Sequence, residues 1–271
     1  MTLLKTALIL AALGYLAILA ALFLFQTSLL FPTRMVPAAG PLPQGAQVLV
    51  AATADGETLH GVHLPPSVGG GQGPLLLVFP GNAWNAEAAA AYLGDLFPEL
   101  DVVAFHYRGY RPSTGAAGAE ALLADAPLIH DLVAKRFPSR PIVAVGFSVG
   151  TGVAAHLAAR RDLAGLVLVT PFDSLGALAS GHYRWLPVRL LLRHRMEPIS
   201  DLAATAAPVA LIAGQRDTFI PPARTAPLRK AARNLVMDVT VPGAGHNDIY
   251  QHPAFHAAMR QALDRIVAET R

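Results

Sequence analysis

The stretch PIVAVGFSVGTGVAA (residues 141–155) decides the fold of this chain. Its apolar run Ile142 to Val145 ends in Gly146-Phe147-Ser148-Val149-Gly150 and passes into an Ala-rich segment with helical spacing. A continuous apolar run is typical of a parallel strand buried on both faces. A GxSxG turn between such a strand and a helix exposes the serine hydroxyl at the helix N-terminus. GxSxG also occurs in ordinary turns, but this context predicts a nucleophile elbow at Ser148.

Two later segments carry an acid and a base in the chain order serine, acid, histidine that such an elbow requires. Asp217 follows the apolar run 208–213, and His246 follows the run 235–241. Both therefore lie in loops at the carboxyl ends of predicted strands, where ligands bind in open α/β sheets. His246 would take the Ser148 proton and pass it to the leaving group. Asp217 would hold the tautomer of the ring and stabilise the imidazolium.

The acid and the base also have structural interpretations. Asp217 could cap the helix that follows Ile220-Pro-Pro-Ala, and His246 could be an ordinary loop histidine. Their joint placement favours catalysis. Asp173 and Asp248 are alternative acids that rank below Asp217, and Asp173 is interpreted as a helix cap for the segment that follows it.

A third loop supplies the candidate oxyanion donors. The apolar run Leu75 to Pro80 predicts a buried strand, and Gly81-Asn82-Ala83-Trp84-Asn85 follows it. Serine hydrolases of this type take one backbone N–H from the residue after the nucleophile and one from such a loop. The candidate oxyanion hole is therefore formed by the N–H groups of Asn82 and Val149. Gly81-Asn82 is also a common turn dipeptide.

Five segments together resemble the α/β-hydrolase superfamily, and within it the membrane-anchored branch that includes depalmitoylating α/β-hydrolase-domain proteins. They are FPGNAWN (79–85), HYRGYRPSTG (106–115), GFSVG (146–150), GQRDTFIPP (214–222) and GAGHND (243–248). The resemblance runs from about Leu42 to the C-terminus. It implies a serine hydrolase that cleaves an acyl ester or thioester through an acyl-enzyme. This chain has Pro80 where that branch usually has histidine, and Trp84 where it has glycine, beside the expected acyl pocket.

The N-terminal segment predicts a membrane anchor. Ala7 to Phe25 contains no charged residue. The length of this segment is close to the ~20 residues that a spanning helix needs. A cleaved signal peptide is the alternative, since Ala17 to Ala21 offers small residues, but the apolar stretch exceeds the usual ~7–15. We therefore expect an uncleaved anchor at 1–30, a Pro-rich linker at 31–45 and a catalytic domain at 46–271. A chain starting near Pro37 should then be soluble and active.

The charges beside the anchor bear on its orientation. Lys5 precedes the apolar stretch and Arg34 is the first charge after it. The positive-inside rule favours a cytoplasmic N-terminus and a single-pass protein with its catalytic domain on the non-cytoplasmic side.

The remaining apolar runs predict an α/β fold with a mainly parallel central sheet covered by helices on both faces. A hairpin is expected at 47–64 through Asp55-Gly56, and a Gly-rich mobile loop at 65–74. About 35 residues separate the strands ending near 170 and starting near 208, which leaves room for a short lid. Its arginines and leucines at 184–196 could touch lipid headgroups or pack on the domain. Tyr183, Trp185 and Trp84 are the candidate pocket walls.

Composition argues against several other classes. The chain has no cysteine, which excludes disulfides, thiolate metal sites and a cysteine nucleophile. The net charge is +3 and the arginines are dispersed, so no stripe suits nucleic acid. His60/His63 and His252/His256 lack nearby carboxylates in a metal pattern, so we expect no metal and no cofactor.

Three further functions compete with an esterase or thioesterase. Gly150 to Ala155 fits a loose nucleotide-binding fingerprint, but Gly146 already closes the strand, where the first fingerprint glycine should lie. A peptidase or amidase of the same fold would share the elbow, and a noncatalytic membrane scaffold would retain the fold without the activity.

Overall fold

Eight strands form one sheet in the part of the chain that this computed structural model describes, which is residues 1–38, 40–69, 71 and 73–269. In spatial order they are β1, β2, β4, β3, β5, β6, β7 and β8. Their bounds are Gln47–Ala52 (β1), Thr58–Leu64 (β2), Leu75–Phe79 (β3), Val102–Phe105 (β4), Ile142–Phe147 (β5), Gly165–Val169 (β6), Val209–Gly214 (β7) and Leu235–Val241 (β8).

The sheet is antiparallel only at the edge that begins it. β1 pairs with β2 as the predicted hairpin, and β2 pairs antiparallel with β4. From β4 to β8 all neighbours are parallel. The carboxyl ends of these parallel strands therefore meet at one edge, which is where the predicted site residues lie. The predicted mainly parallel sheet is confirmed.

Helices cover both faces of the sheet. Their bounds are Thr2–Leu30 (α1), Ala86–Leu96 (α2), Ala119–Arg136 (α3), Val149–Ala158 (α4), Leu175–His182 (α5), Val188–Leu191 (α6), Pro198–Ala204 (α7), Pro222–Ala231 (α8) and Pro253–Glu269 (α9). In β3, Leu75 and Leu77 join the core cluster beneath α3 and α4, while Leu76 and Val78 join the cluster beneath α2 and α9. This alternation is the two-residue period of a strand buried on both sides.

Among the described residues, α1 is the one helix that is long and apolar enough to cross a membrane. Its 29 residues extend about 43 Å at ~1.5 Å per residue, more than the ~30 Å of a bilayer core. Most of its side chains are exposed. Gln26 is buried, and the half-buried residues are Leu19, Leu22, Thr27 and Leu30. Directly after the helix, Phe31 is buried in the core cluster beneath α3 and α4. The segment after the apolar helix is therefore packed into the sheet domain.

The Gly-rich loop 65–74 contains Gly70 and Gln72, which lie outside the described residues. At its start, the N–H groups of Ser67 and Val68 both donate to the Pro98 carbonyl. The expected mobility of this loop remains a prediction.

Candidate active site

Ser148 stands at the sharp turn between β5 and α4. Its backbone has φ 51° and ψ −116°, a left-handed conformation that costs free energy for a residue other than glycine. The flanking glycines are required by close approach, because a Cβ at Gly150 would lie 2.0 Å from the Phe79 carbonyl oxygen. A Cβ at Gly146 would lie 2.6 Å from the carbonyl oxygen of Gly150. The turn therefore has the tight geometry predicted from GxSxG.

His246 joins Ser148 to Asp217. Its Nε2 lies 3.0 Å from Ser148 Oγ, and its Nδ1 lies 2.7 Å from Asp217 Oδ2. The Asp217 side chain is almost completely buried, whereas the His246 side chain is 12% exposed. The structure thus brings together the three residues predicted from the sequence, which follow the ends of β5, β7 and β8.

Asp217 also fixes its own loop. Its Oδ1 accepts hydrogen bonds from the N–H groups of Phe219 (2.9 Å) and Ile220 (2.6 Å). Asp217 does not cap α8, whose N-cap residue is Pro221. One carboxylate oxygen holds the turn to Phe219 and Ile220, and the other contacts His246. Because both oxygens are engaged, the carboxylate cannot rotate away from the imidazole without breaking these bonds.

The alternative acids have other partners. Asp173 accepts a hydrogen bond from the Ser174 N–H (2.8 Å) and pairs with Arg224 at 3.2 Å. The residue that caps α5 is Ser174, which accepts from the Ala177 N–H at 3.1 Å, so the interpretation of Asp173 as the cap was wrong by one position. The hydroxyl of Ser174 reaches the third helical N–H, as a helix cap does. Asp248 accepts from the Gly245 N–H (2.6 Å) and so closes the turn that carries His246.

The two candidate oxyanion donors lie beside the nucleophile. Val149 begins α4, where the first N–H groups have no partner inside the helix and the dipole favours negative charge. A Cβ placed on Gly81 would lie 3.8 Å from Ser148 Cβ, so the loop that carries Asn82 passes next to the serine. Within the described residues, neither the Asn82 N–H nor the Val149 N–H donates to a protein acceptor. Both remain free to bind a developing oxyanion.

Three side-chain contacts hold the loop at residues 80–85, called the oxyanion loop below after its candidate role, and the sequence did not reveal them. The Asn82 side chain donates through Nδ2 to the Leu30 carbonyl and accepts at Oδ1 from the Tyr110 hydroxyl (2.5 Å). Tyr107 donates to the Pro80 carbonyl at 2.8 Å. Burial raises the pKa of both tyrosines, so each stays a neutral donor. The segment 106–115 that carries them was part of the family resemblance, without a role for either hydroxyl.

The same loop has a second contact with the N-terminal segment. Asn85 caps α2 by accepting from the Ala88 N–H at 3.1 Å, and its Nδ2 donates to the Pro37 carbonyl at 3.2 Å. The oxyanion loop is therefore bonded to the N-terminal segment at Leu30 and again at Pro37.

Two relatives and one solved structure place the chain among known proteins. Uncharacterized protein Rv2307c of Mycobacterium tuberculosis is 39% identical over 224 residues, which cover 78% of each chain. Alpha/beta hydrolase domain-containing protein aho-3 of Caenorhabditis elegans is 30% identical over 195 residues, 70% of this chain and 57% of the relative. The Pyrococcus furiosus esterase Pf2001 superposes with a TM-score of 0.68 over 86% of this chain and 97% of that one, at 17% identity. No family model matches the chain.

The chain belongs to the α/β-hydrolase superfamily. The family and the fold predicted from the sequence are thereby confirmed, together with the coarse activity of a hydrolase.

The three aromatic residues predicted as pocket walls of this α/β-hydrolase lie in different places. Trp84 packs against Phe147 and Tyr250, with ring centroids 5.1 Å away in each case, on the α2 and α9 side of the sheet. Trp185 is 57% exposed and contacts Tyr15 of α1. Tyr183 alone of the three borders a cavity that the structure describes beside the lid. They do not form one pocket, because Trp84 turns toward the aromatic cluster beneath α2.

The cavity beside Tyr183 lies between α1 and the lid, which is the segment 175–196. It has a volume of about 340 Å³ and is called the anchor–lid cavity below. Its lining is almost entirely apolar, with four residues from α1 and six from the lid. The residues are Leu22, Gln26, Leu29, Leu30, Ala179, Tyr183, Leu186, Val188, Leu191 and Leu192.

The histidine pairs singled out as metal candidates have other surroundings. His63 Nε2 lies 2.7 Å from Asp101 Oδ1, and Arg140 pairs with the other oxygen of that carboxylate at 2.9 Å. His256 Nε2 lies 2.8 Å from the Tyr250 carbonyl. Among the described residues, no group of three or more His, Asp or Glu side chains is arranged to hold a metal ion.

Proposed function

We propose that this α/β-hydrolase is a serine hydrolase that cleaves an acyl ester or thioester at a membrane surface. Ser148 would be the nucleophile, His246 the general base and Asp217 the acid that orients it. The observation that carries this proposal is the pair of contacts made by His246, 3.0 Å to Ser148 Oγ and 2.7 Å to Asp217 Oδ2. A nucleophile, a base and an orienting acid in this geometry are the elements of acyl transfer.

In the first half of the reaction, His246 Nε2 takes the Ser148 hydroxyl proton as Oγ attacks the acyl carbonyl carbon. The negative charge that develops on the carbonyl oxygen would be stabilised by the N–H groups of Asn82 and Val149 at the N-terminus of α4. The imidazolium, held by Asp217 through Nδ1–H, then protonates the leaving alcohol or thiol. An acyl ester of Ser148 remains.

In the second half, water replaces the leaving group. His246 takes a proton from the water, which attacks the acyl-enzyme through a second oxyanion. The carboxylic acid leaves as the proton returns to Ser148 Oγ. No cofactor is needed for either half, because the proton moves only between Ser148, His246 and the reactants.

Membrane association is supported by helix α1, which is exposed along nearly its whole length and apolar enough to span a bilayer. In this proposal residues 1–30 form a single-pass anchor, and residues 46–271 form the catalytic domain on the non-cytoplasmic side. The linker 31–45 would fix the domain to the anchor, since Phe31 is buried and Pro37 binds Asn85.

The experiment that tests the proposal uses the full chain in detergent. It should react with a fluorophosphonate probe and hydrolyse p-nitrophenyl esters or acyl thioesters. Ser148→Ala should lose both activities, whereas Ser200→Ala, an exposed serine of α7, should keep them. Labelling that persists in Ser148→Ala would refute the nucleophile. Faster cleavage of peptide amides than of esters would indicate an amidase, and an unreactive wild-type chain would indicate a noncatalytic scaffold.

A further inference from the structure

The anchor–lid cavity offers a surface suited to hydrocarbon. Its volume of about 340 Å³ falls within the ~300–1,000 Å³ of small-ligand sites. Gln26 is the polar side chain that α1 contributes, and its amide is fully engaged. Its Nε2 donates to the carbonyls of Phe23 (2.9 Å) and Leu191 (3.1 Å), and its Oε1 accepts from the Arg193 N–H (2.8 Å). The amide therefore fastens the anchor to the lid.

Two contacts connect the cavity walls to the catalytic loops. On the anchor side, the carbonyl of Leu30 accepts from the side chain of Asn82 in the oxyanion loop. On the lid side, His182 of α5 lies 2.7 Å from the Phe219 carbonyl oxygen. The Phe219 ring in turn lies 4.9 Å from the ring of His246. The cavity is thus flanked by the loops that hold the two halves of the proposed catalytic machinery.

The lid extends along α1, away from the sheet. The Tyr15 hydroxyl donates to the Trp185 carbonyl at 2.9 Å. Tyr15 is 15 residues before Leu30, or about 22 Å along the helix. With residues 7–25 in the bilayer core, this contact lies at the depth of the acyl chains. A carbonyl at that depth needs a protein donor, which Tyr15 supplies.

The side chains of the lid tip match such a location. Leu190 is 85% exposed and Trp185 is 57% exposed, so the tip presents large apolar groups outward. Arg184 and Arg189, both exposed, can extend their charged ends to the headgroups while their stems stay with the lipid. The lid tip is therefore suited to contact with lipid.

From these observations we propose that helix α1 forms one wall of the acyl-chain site. The acyl chain of a bilayer-resident ester or thioester would occupy the anchor–lid cavity while its carbonyl carbon lies at Ser148. The substrate would enter sideways from the bilayer. This inference rests on the proposed serine hydrolase function and adds the source and position of its substrate.

The first test fills the cavity from the anchor side. Leu22→Trp places a large ring at a lining position, and Leu24→Trp is the matched control, because Leu24 is 67% exposed on another face of the same helix. The full chain is assayed in detergent with p-nitrophenyl acetate, butanoate and octanoate. In the wild type, kcat/KM should rise by up to about fourfold per buried methylene.

Leu22→Trp should lower the octanoate-to-acetate ratio of kcat/KM by about tenfold or more, because the loss falls mainly on the longer acyl chain. Leu24→Trp should leave the ratio at its wild-type value. An unchanged ratio in Leu22→Trp, or an equal loss with acetate and octanoate, would overturn the inference.

The second test does not depend on turnover. An alkyl fluorophosphonate with a terminal diazirine is attached to Ser148 and then photolysed, and the cross-linked peptide is identified by mass spectrometry. Cross-links to residues 22–30 of α1 are expected. Cross-links confined to the aromatic cluster around Trp84 would place the chain on the other side of the sheet. Absence of labelling at Ser148 would instead count against the proposed function, so the two failures are distinguishable.

Discussion

The two sides of Ser148 differ in how they are built. On one side, Asp217 and His246 come from loops that directly follow strands of the parallel sheet, and they contact each other and Ser148. On the other side, the loop of Asn82 and the lid are bonded to the N-terminal segment through Leu30, Pro37 and Gln26. The sheet alone can position the first group, whereas the second group needs the anchor. In the proposed mechanism, proton transfer and substrate placement therefore depend on different parts of the chain.

The largest effects should come from the side built on the sheet. His246→Ala should reduce kcat/KM by about 10⁶-fold, and Asp217→Asn by about 10⁴-fold, because the base survives in a poorer tautomer. Steady-state ester hydrolysis measures both variants. Asp173→Asn is the matched control and should stay within about tenfold of wild type, since Asp173 pairs with Arg224. A greater loss in Asp173→Asn than in Asp217→Asn would reverse the assignment of the acid.

Removing the anchor should disturb the Asn82 side of Ser148 and leave the Asp217 and His246 side in place. From the sequence, a chain starting at Pro37 should be soluble and active. The structure changes that expectation, because the truncation deletes the Leu30 carbonyl that binds Asn82 and the buried Phe31 side chain. Loss of a buried Phe costs about 3–5 kcal/mol, and a displaced catalytic group can lose ~10²-fold in rate. We expect a lower unfolding temperature and a kcat for p-nitrophenyl acetate reduced at least about tenfold.

The matched control for this truncation is a chain starting at Gln26, which keeps the contacts of Gln26, Leu30 and Phe31. It should retain most of the acetate activity. If both shortened chains match the full chain in rate and in thermal unfolding, the anchor is only a tether. The loop of Asn82 and the lid would then not need it for their position.

The same division explains what the sequence could reveal. Ser148, Asp217 and His246 each follow an apolar run and stand in a recognisable turn, so local patterns were sufficient to place them. The contact of Asn82 with Leu30 joins residues 52 positions apart, and that of Gln26 with Leu191 joins residues 165 apart. No periodicity or turn pattern in the sequence predicts either contact, because both form only when α1 has packed against the rest of the protein.

Smaller errors had local causes. Asp173 and Ser174 are adjacent and can both cap a helix, so the pattern could not choose between them. Trp84 replaces a glycine of the related branch next to the expected pocket, but its ring found aromatic partners on the opposite face of the sheet.

Loss of the side-chain bonds that hold the oxyanion loop should have an intermediate effect on kcat. Asn82→Ala keeps the backbone donor and removes the bonds to Leu30 and Tyr110, so kcat should fall about 10- to 100-fold with little change in KM. Tyr110→Phe removes one of these bonds and should cost only a few-fold. Asn234→Ala, at the residue before β8, serves as the control. Wild-type kcat in Asn82→Ala would mean that Leu30 does not position the loop.

The smallest expected effect concerns pH. His194 lies against α1 and α3, with Nε2 2.7 Å from Thr27 Oγ1 and the Ala119 N–H donating to Nδ1 at 3.4 Å. Burial, with a smaller effect from the Arg193 charge, lowers the pKa of His194. The folded state therefore binds fewer protons than the unfolded state, so this contribution to stability is present above about pH 6.5 and is lost as the pH falls below it.

Thermal unfolding between pH 7.5 and 5 measures this loss. Because His194→Gln removes the titrating group, its unfolding temperature should fall less on acidification than that of the wild type. Equal decreases in the two proteins would show that His194 does not sense pH at this junction.

The positions of the two tryptophans give the protein a built-in optical readout. Trp84 is packed against Phe147, next to the elbow, and Trp185 stands exposed at the tip of the lid. Emission from Trp84 therefore reports the integrity of the sheet domain, and emission from Trp185 reports the polarity around the lid. In Trp84→Phe, replacing ordinary lipid by brominated lipid of the same headgroup in nanodiscs should quench the emission of Trp185. Trp185 is then the single tryptophan, so its emission follows the environment of the lid in the bilayer.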